Sequence, residues 1–127
     1  MKDKINLNIN YIQYLIMDAL EDVKGQNILV FDTSEKSNFF DLVIIASGVS
    51  NRQTRALAKS VVDKLKKKEG ICCRLEGEDN GEWVLVDCGD IICHVMQPII
   101  REYYNLEEIW GSKSIPIKNI KDFFKKN

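Results

Sequence analysis

The apolar pattern of this 127-residue chain predicts an α/β (α+β) fold, a mixed five-stranded sheet with flanking helices in a single domain. Two stretches carry apolar residues at helical spacing, and five β-rich runs lie between and after them. Hydrophobic residues at 45% and charged residues at 29% suit a globular domain that buries a real core without covalent staples. No internal repeat or second domain is visible.

Each element has its own local reason. Ile12, Leu15, Ile16, Ala19, Leu20 and Val23 recur at helical spacing, so residues 10–24 are expected to be an amphipathic helix stopped at Lys24 and Gly25. ILVFDT (28–33) and DLVIIASG (41–48) read as neighbouring strands separated by the polar SEKSN. Ser50 followed by Gln53 forms a capping box, in which each side chain satisfies a free amide at a helix start. The helix it opens runs from about Asn51 to Glu69, with Leu57, Ala58, Val61, Val62 and Leu65 facing inward and Gly70 as its stop. ICCRLEG (71–77) is the third strand and EDNG a turn. WVLVDC and IICHVM then pair around Gly89 and Asp90, and Pro98 begins a short helix through about Tyr104.

Charge is spread unevenly. The whole chain sums to −1, but residues 112–127 carry five lysines against one aspartate, a net of +4, leaving −5 for the first 111. The chain is therefore divided into a domain at 1–111 and a basic C-terminal tail at 112–127. That tail reads either as a basic helix docking through Ile117, Ile120, Phe123 and Phe124 or as a lysine-solubilised end. Adjacent Cys72 and Cys73 and the polar start MKDKINLNIN argue for reduced thiols, a cytoplasmic setting and no secretory leader. No apolar run reaches the roughly 20 residues a membrane span needs, so no membrane association is expected through a spanning helix.

The segment GEWVLVDCGDIICHVM concentrates the chemistry. With Gly89 and Asp90 central in a tight turn, Cys88 faces Ile91, Asp87 faces Ile92, Val86 faces Cys93, Leu85 faces His94, Val84 faces Val95 and Trp83 faces Met96. Opposed side chains share a sheet face. One face is apolar: Val84, Val86, Cys88, Ile91, Cys93 and Val95. The other holds Trp83, Leu85, Asp87, Ile92, His94 and Met96, a mixture that fits a protein interface. The competing reading is a second core layer under a helix, with Asp87 and His94 hydrogen-bonded at its edge.

Enzymatic readings fare less well. Cys88 and Cys93 lie on the face opposite His94, with no spacing suited to metal ligation, so no metal or other cofactor is expected. His94 and Asp87 share a face but are not opposed, which weakens an acid–base pair. An anion could sit where the Ser47-Gly48 turn meets the helix capped by Ser50. Nucleotide transfer there would need carboxylates for magnesium, and Glu76 and Glu78 are the candidates. A nucleotidyltransferase or nucleotide-binding protein is thus the alternative function. Arg52, Arg55, Lys59 and Lys66 form a basic stripe, with the first three as candidate RNA contacts; Asp63 interrupts it and no aromatic platform accompanies it.

The run DLVIIASGVSNRQTRALAKSVVDKL, followed by RLEGEDNGEWVLVDCGDIICHVMQPIIREYYNLEEIWG, resembles the ribosomal silencing factor family, which includes the Iojap proteins. The likeness covers roughly residues 8–111. Trp83, Asp87, Gly89, Asp90, His94 and Val95 match the most specific segment in identity and spacing, and Asp41, Gly48, Ser50 and Arg52 match an earlier one. Cys88 stands where an aromatic residue is common, and the basic tail extends beyond the usual core.

The resemblance implies a nucleotidyltransferase-like fold without transferase activity. It implies binding to the fourteenth protein of the large ribosomal subunit, exclusion of the small subunit and repression of translation, with homodimers of the free protein. Trp83, Leu85, Asp87, Gly89, Asp90, Ile92, His94 and Met96 are accordingly the expected partner-binding residues, and ribosomal RNA is an expected further contact.

Overall fold

In the computed structural model residues 2–110 are described, with side chains from residue 9 onward; the tail at 112–127 lies outside the described residues. The elements are α1 (Lys2–Asp22), β1 (Gln26–Asp32), β2 (Leu42–Ser47), α2 (Asn51–Glu69), β3 (Arg74–Glu76), β4 (Trp83–Asp87), β5 (Ile91–Met96), α3 (Pro98–Tyr104) and α4 (Leu106–Trp110). The five strands form one sheet in the order β1-β2-β5-β4-β3. β2 and β5 run parallel and every other pair is antiparallel, so the expected mixed sheet is present.

β2 reads LVIIAS and is buried at every position, because it lies between β1 and β5 and helices cover both faces of the sheet. On one side α1 and α2 supply Ile16, Leu20, Leu57 and Leu65 to a core shared with Ile44, Val86 and Val95. On the other, Phe31, Val43, Ile45 and Met96 meet Ile100, Leu106 and Trp110 from α3 and α4.

The α2 boundaries follow from its caps. Ser50 Oγ accepts the Gln53 amide at 3.0 Å, while the Gln53 side-chain oxygen accepts the amide of Val49, one residue before the expected position. Gln53 also donates to the carbonyls of Val23 and Lys24, tying the start of α2 to the end of α1. At the other end Gly70 is left-handed (φ 67°), and its amide and that of Ile71 close on Lys66 and Leu65. Between the helices Lys64 Nζ donates to Asp18 and Asp22 at 2.6 and 2.8 Å.

Four local expectations change. α1 starts at Lys2 and ends at Asp22, earlier at both ends than 10–24. β3 shrinks to Arg74–Glu76, since an edge strand pairs only along the part its neighbour reaches. α4 appears where no helix was expected; Asn105, left-handed at φ 48°, ends α3 and lets a second short helix begin at once. The second core layer beneath α3 and α4 was foreseen only as the competing reading of the hairpin's outer face.

Candidate protein-docking surface

The hairpin register matches the expected one pair for pair: Trp83–Met96, Val84–Val95, Leu85–His94, Val86–Cys93 and Asp87–Ile92. Gly89 sits at φ +90° with open space where a Cβ would be, so the turn requires glycine for its backbone angle alone. The Asp87 carboxylate accepts the Gly89 amide at 2.9 Å, and the Cys88 amide donates to the Ile91 carbonyl at 2.9 Å. Asp90 is exposed, and its carbonyl accepts the amides of Asp41 and Leu42, fastening the turn to the start of β2.

Alternation sends Val84, Val86, Cys88, Ile91, Cys93 and Val95 into the core beneath α1 and α2. The other face is graded along its length. Leu85, Asp87 and Ile92 are half-buried near the turn, and Trp83 is half-buried at the far end. His94 is 9% exposed and Met96 fully enclosed. Met96 therefore cannot touch a partner as expected, because α3 turns back immediately after β5 and packs on it. Its role is to support the residues above it.

Trp83 is held by two rings. Its indole Nε1 donates to His94 Nδ1 at 3.0 Å, and the Tyr104 ring lies 4.9 Å from it, tilted by 50°. Accepting at Nδ1 requires a neutral imidazole with its proton on Nε2. Burial agrees, pushing the His94 pKa from 6.5 down to about 4. His94 thus positions Trp83, and at 9% exposure it has little area of its own to offer a partner.

The residues that complete this surface come from α3 and α4. Ile99 and Tyr103 are 77% and 79% exposed, Tyr104 is exposed with its ring 5.0 Å from that of Tyr103, and Ile109 is exposed on α4. Such a cluster of large apolar side chains is unusual on idle surface. The i, i+4 spacing of Ile99 and Tyr103 after Pro98 was a legible signal for it.

The basic stripe is only partly available. Arg55 donates to the carbonyls of Glu78 and Asp79 at 2.7 and 2.6 Å, clamping the turn between β3 and β4 instead of standing free for RNA. Arg52 and Lys59 are exposed. The same turn depends on Gly77, at φ +83°, where an added Cβ would lie 2.2 Å from the Trp83 carbonyl. Substitution there would strain the backbone that carries Trp83.

At the Ser47-Gly48 junction, Ser47 is buried and its hydroxyl accepts Arg101 Nη1 at 2.9 Å. A Cβ on Gly48 would meet Thr54 and Leu57 at 3.0 to 3.1 Å, so the turn is packed against α2. The Val49, Gln53 and Thr54 amides are engaged by Gln53, Ser50 Oγ and the Ser50 carbonyl. Glu76 and Glu78 are exposed at the sheet edge. Among the described residues no three His, Cys, Asp or Glu side chains gather as metal ligands, and no helix is long and apolar enough to cross a membrane.

The family described as "Ribosomal silencing factor during starvation" matches residues 8–127. The chain is 47% identical over 107 residues to the ribosomal silencing factor RsfS of Chromobacterium violaceum, covering 84% of this chain and 88% of that one. It is 29% identical over 103 residues to the mouse "Mitochondrial assembly of ribosomal large subunit protein 1", covering 79% of this chain and 45% of the relative. A crystal structure from Chromobacterium violaceum superposes with a TM-score of 0.78 at 48% identity, over 81% of this chain and 87% of the other. One from Bacillus halodurans gives 0.73 at 31% identity, over 84% and 98%.

Proposed function

Because the chain belongs to the ribosomal silencing factor family, we propose that it docks on the large ribosomal subunit through the outer face of the β4–β5 hairpin and the adjoining α3 surface. The bound domain stands in the path of the small subunit, and translation falls as a result. The partner is the fourteenth large-subunit protein, and the process takes place in the cytoplasm. The sheet order and the strand-turn-helix at Ser47–Asn51 are compatible with a nucleotidyltransferase-like ancestry, put to non-enzymatic use.

The observation that carries this reading is Trp83, a half-exposed indole pinned by His94 and Tyr104 beside exposed Ile99 and Tyr103. Rigid aromatic anchors surrounded by aliphatic side chains are what interfaces use for most of their affinity. Leu85 and Ile92 extend the apolar strip, and Asp87 and Asp90 offer carboxylates to a basic partner. Arg52 and Lys59 are near enough to solvent to contact ribosomal RNA. In the free protein a second copy would cover the same strip, giving a homodimer that the subunit displaces.

Cosedimentation with purified large subunits through a sucrose gradient tests the proposal. The chain is expected to travel with the large subunit and to reduce the monosome peak when small subunits are added. Trp83→Ala is expected to weaken binding by roughly 1 to 4 kcal/mol while remaining folded. Unchanged cosedimentation of a folded Trp83→Ala protein would overturn the assigned surface.

A further inference from the structure

Cys73 and Cys88 form a feature that ribosome docking does not use. The pairing of Arg74 with Asp87 between β3 and β4, continued by one step, sets Cys73 opposite Cys88 on the inner face of the sheet. Their sulfurs are 3.5 Å apart although the residues are separated by 15 positions. A disulfide needs about 2.05 Å, so the sulfurs must close by roughly 1.5 Å, within reach of small side-chain rotations at an edge strand only three residues long. Cys88 is buried, whereas Cys73 is half-exposed and open to a small reagent.

We infer that Cys73 and Cys88 are a redox-modification site, a dithiol that a hydroperoxide converts to an intramolecular disulfide stapling β3 to the hairpin. The Cys73 thiolate attacks one peroxide oxygen. An S–O bond forms as the O–O bond breaks, and the departing hydroxide or alkoxide takes up a proton. Cys73 is then a sulfenic acid. The Cys88 sulfur displaces its hydroxyl, the S–S bond forms as S–O breaks, and the Cys88 proton leaves with that oxygen as water. The two thiols together lose two electrons and two protons, and the peroxide is reduced.

The assignment of attacker and resolver follows from the surroundings. The hydrogen bond between the two sulfurs lowers the Cys73 pKa, against opposing effects of partial burial and the nearby Asp87 carboxylate. Cys88 is pushed up by the same contact and by its own burial. Cys93, on β5, is fully enclosed and its thiol is pushed up to about 12, which makes it inert. Cys72 is exposed, but its neighbour at 73 faces Cys88.

The test uses the full-length reduced protein carrying Cys72→Ser, treated with hydrogen peroxide, alkylated and digested without reductant. The expected result is a linked pair of peptides containing Cys73 and Cys88, lost with dithiothreitol, together with a thermal midpoint raised by about 10 °C. Adding Cys73→Ser, a change at a half-exposed position, should abolish both signals. Sulfinic or sulfonic acid on Cys73 without a link, or a cross-link between chains, would overturn the proposal. Since the readouts are covalent mass and midpoint, they stand or fall independently of ribosome binding.

Discussion

The two faces of the β4–β5 hairpin have the same backbone, the same turn and the same register, yet opposite fates. The inner face is sealed along its whole length by α1 and α2, and its six side chains are all buried. Among the described residues the outer face is sealed only where α3 and α4 return across it, at Met96 and His94, and is half-open from Leu85 to Asp87 and Ile92. Alternation along a strand tells which residues travel together. What lies above them is decided by elements distant in the chain.

Substitutions can separate the two kinds of position. Met96→Ala is expected to have the largest effect on stability, about 2 to 5 kcal/mol by urea unfolding, because it empties an enclosed site although it belongs to the outer set. A protein of unchanged stability would mean that α3 and α4 do not seal that end. Ile91→Ala on the inner face should cost a similar amount, and the two together define what burial is worth on either side of the sheet.

His94 gives a pH-dependent version of the same contrast. Its pKa is depressed from 6.5 to about 4, so the unfolded chain binds more protons between those values. Its contribution is fully present above about pH 6.5 and is lost as pH falls toward 4. The wild type should lose about 2 kcal/mol from this group between pH 7 and pH 5. His94→Gln, which can still accept from Trp83, should show that much less dependence in unfolding titrations over the window; an identical slope would contradict a buried neutral imidazole.

Smaller effects belong to the open end. Leu85→Ala should cost under about 1.5 kcal/mol in stability but weaken cosedimentation with large subunits, a dissociation an inner-face residue cannot show. Asp87→Asn keeps an acceptor for the Gly89 amide and is expected to leave unfolding within about 0.5 kcal/mol. Its effect should appear in the salt dependence of subunit binding, which a basic partner would make shallower for the variant.

Much of this fold is legible in short-range chemistry. Ser50, Gln53 and Gly70 mark both ends of α2, because caps satisfy amides and carbonyls only a few residues away. Gly89 and Asp90 mark the turn, and a two-residue turn leaves one register for the strands it joins. The candidate surface is legible in the same way as far as Trp83, Leu85, Asp87 and Ile92. Tyr104 was not foreseen as the partner of Trp83, since nothing local specifies that α3 folds back over the far end of β4.

The remaining misses share that cause. Arg55 reads as one more cation on a helix face until the β3–β4 turn arrives 23 residues later to receive it. Lys64 reads the same way until α1 presents Asp18 and Asp22. Arg101 becomes buried because its guanidinium reaches the carbonyl of Asn27, at the irregular step in the register of β1, as well as Ser47 and Glu107.

Element type, caps, turn and strand register were therefore written into neighbouring residues, where hydrogen-bond geometry and side-chain alternation act over a few positions. Depth of burial, the partner of each long cation, and the meeting of Cys73 with Cys88 were settled only by packing. Those properties depend on which surfaces meet after the chain has closed on itself, and many sequences with the same local pattern would close differently.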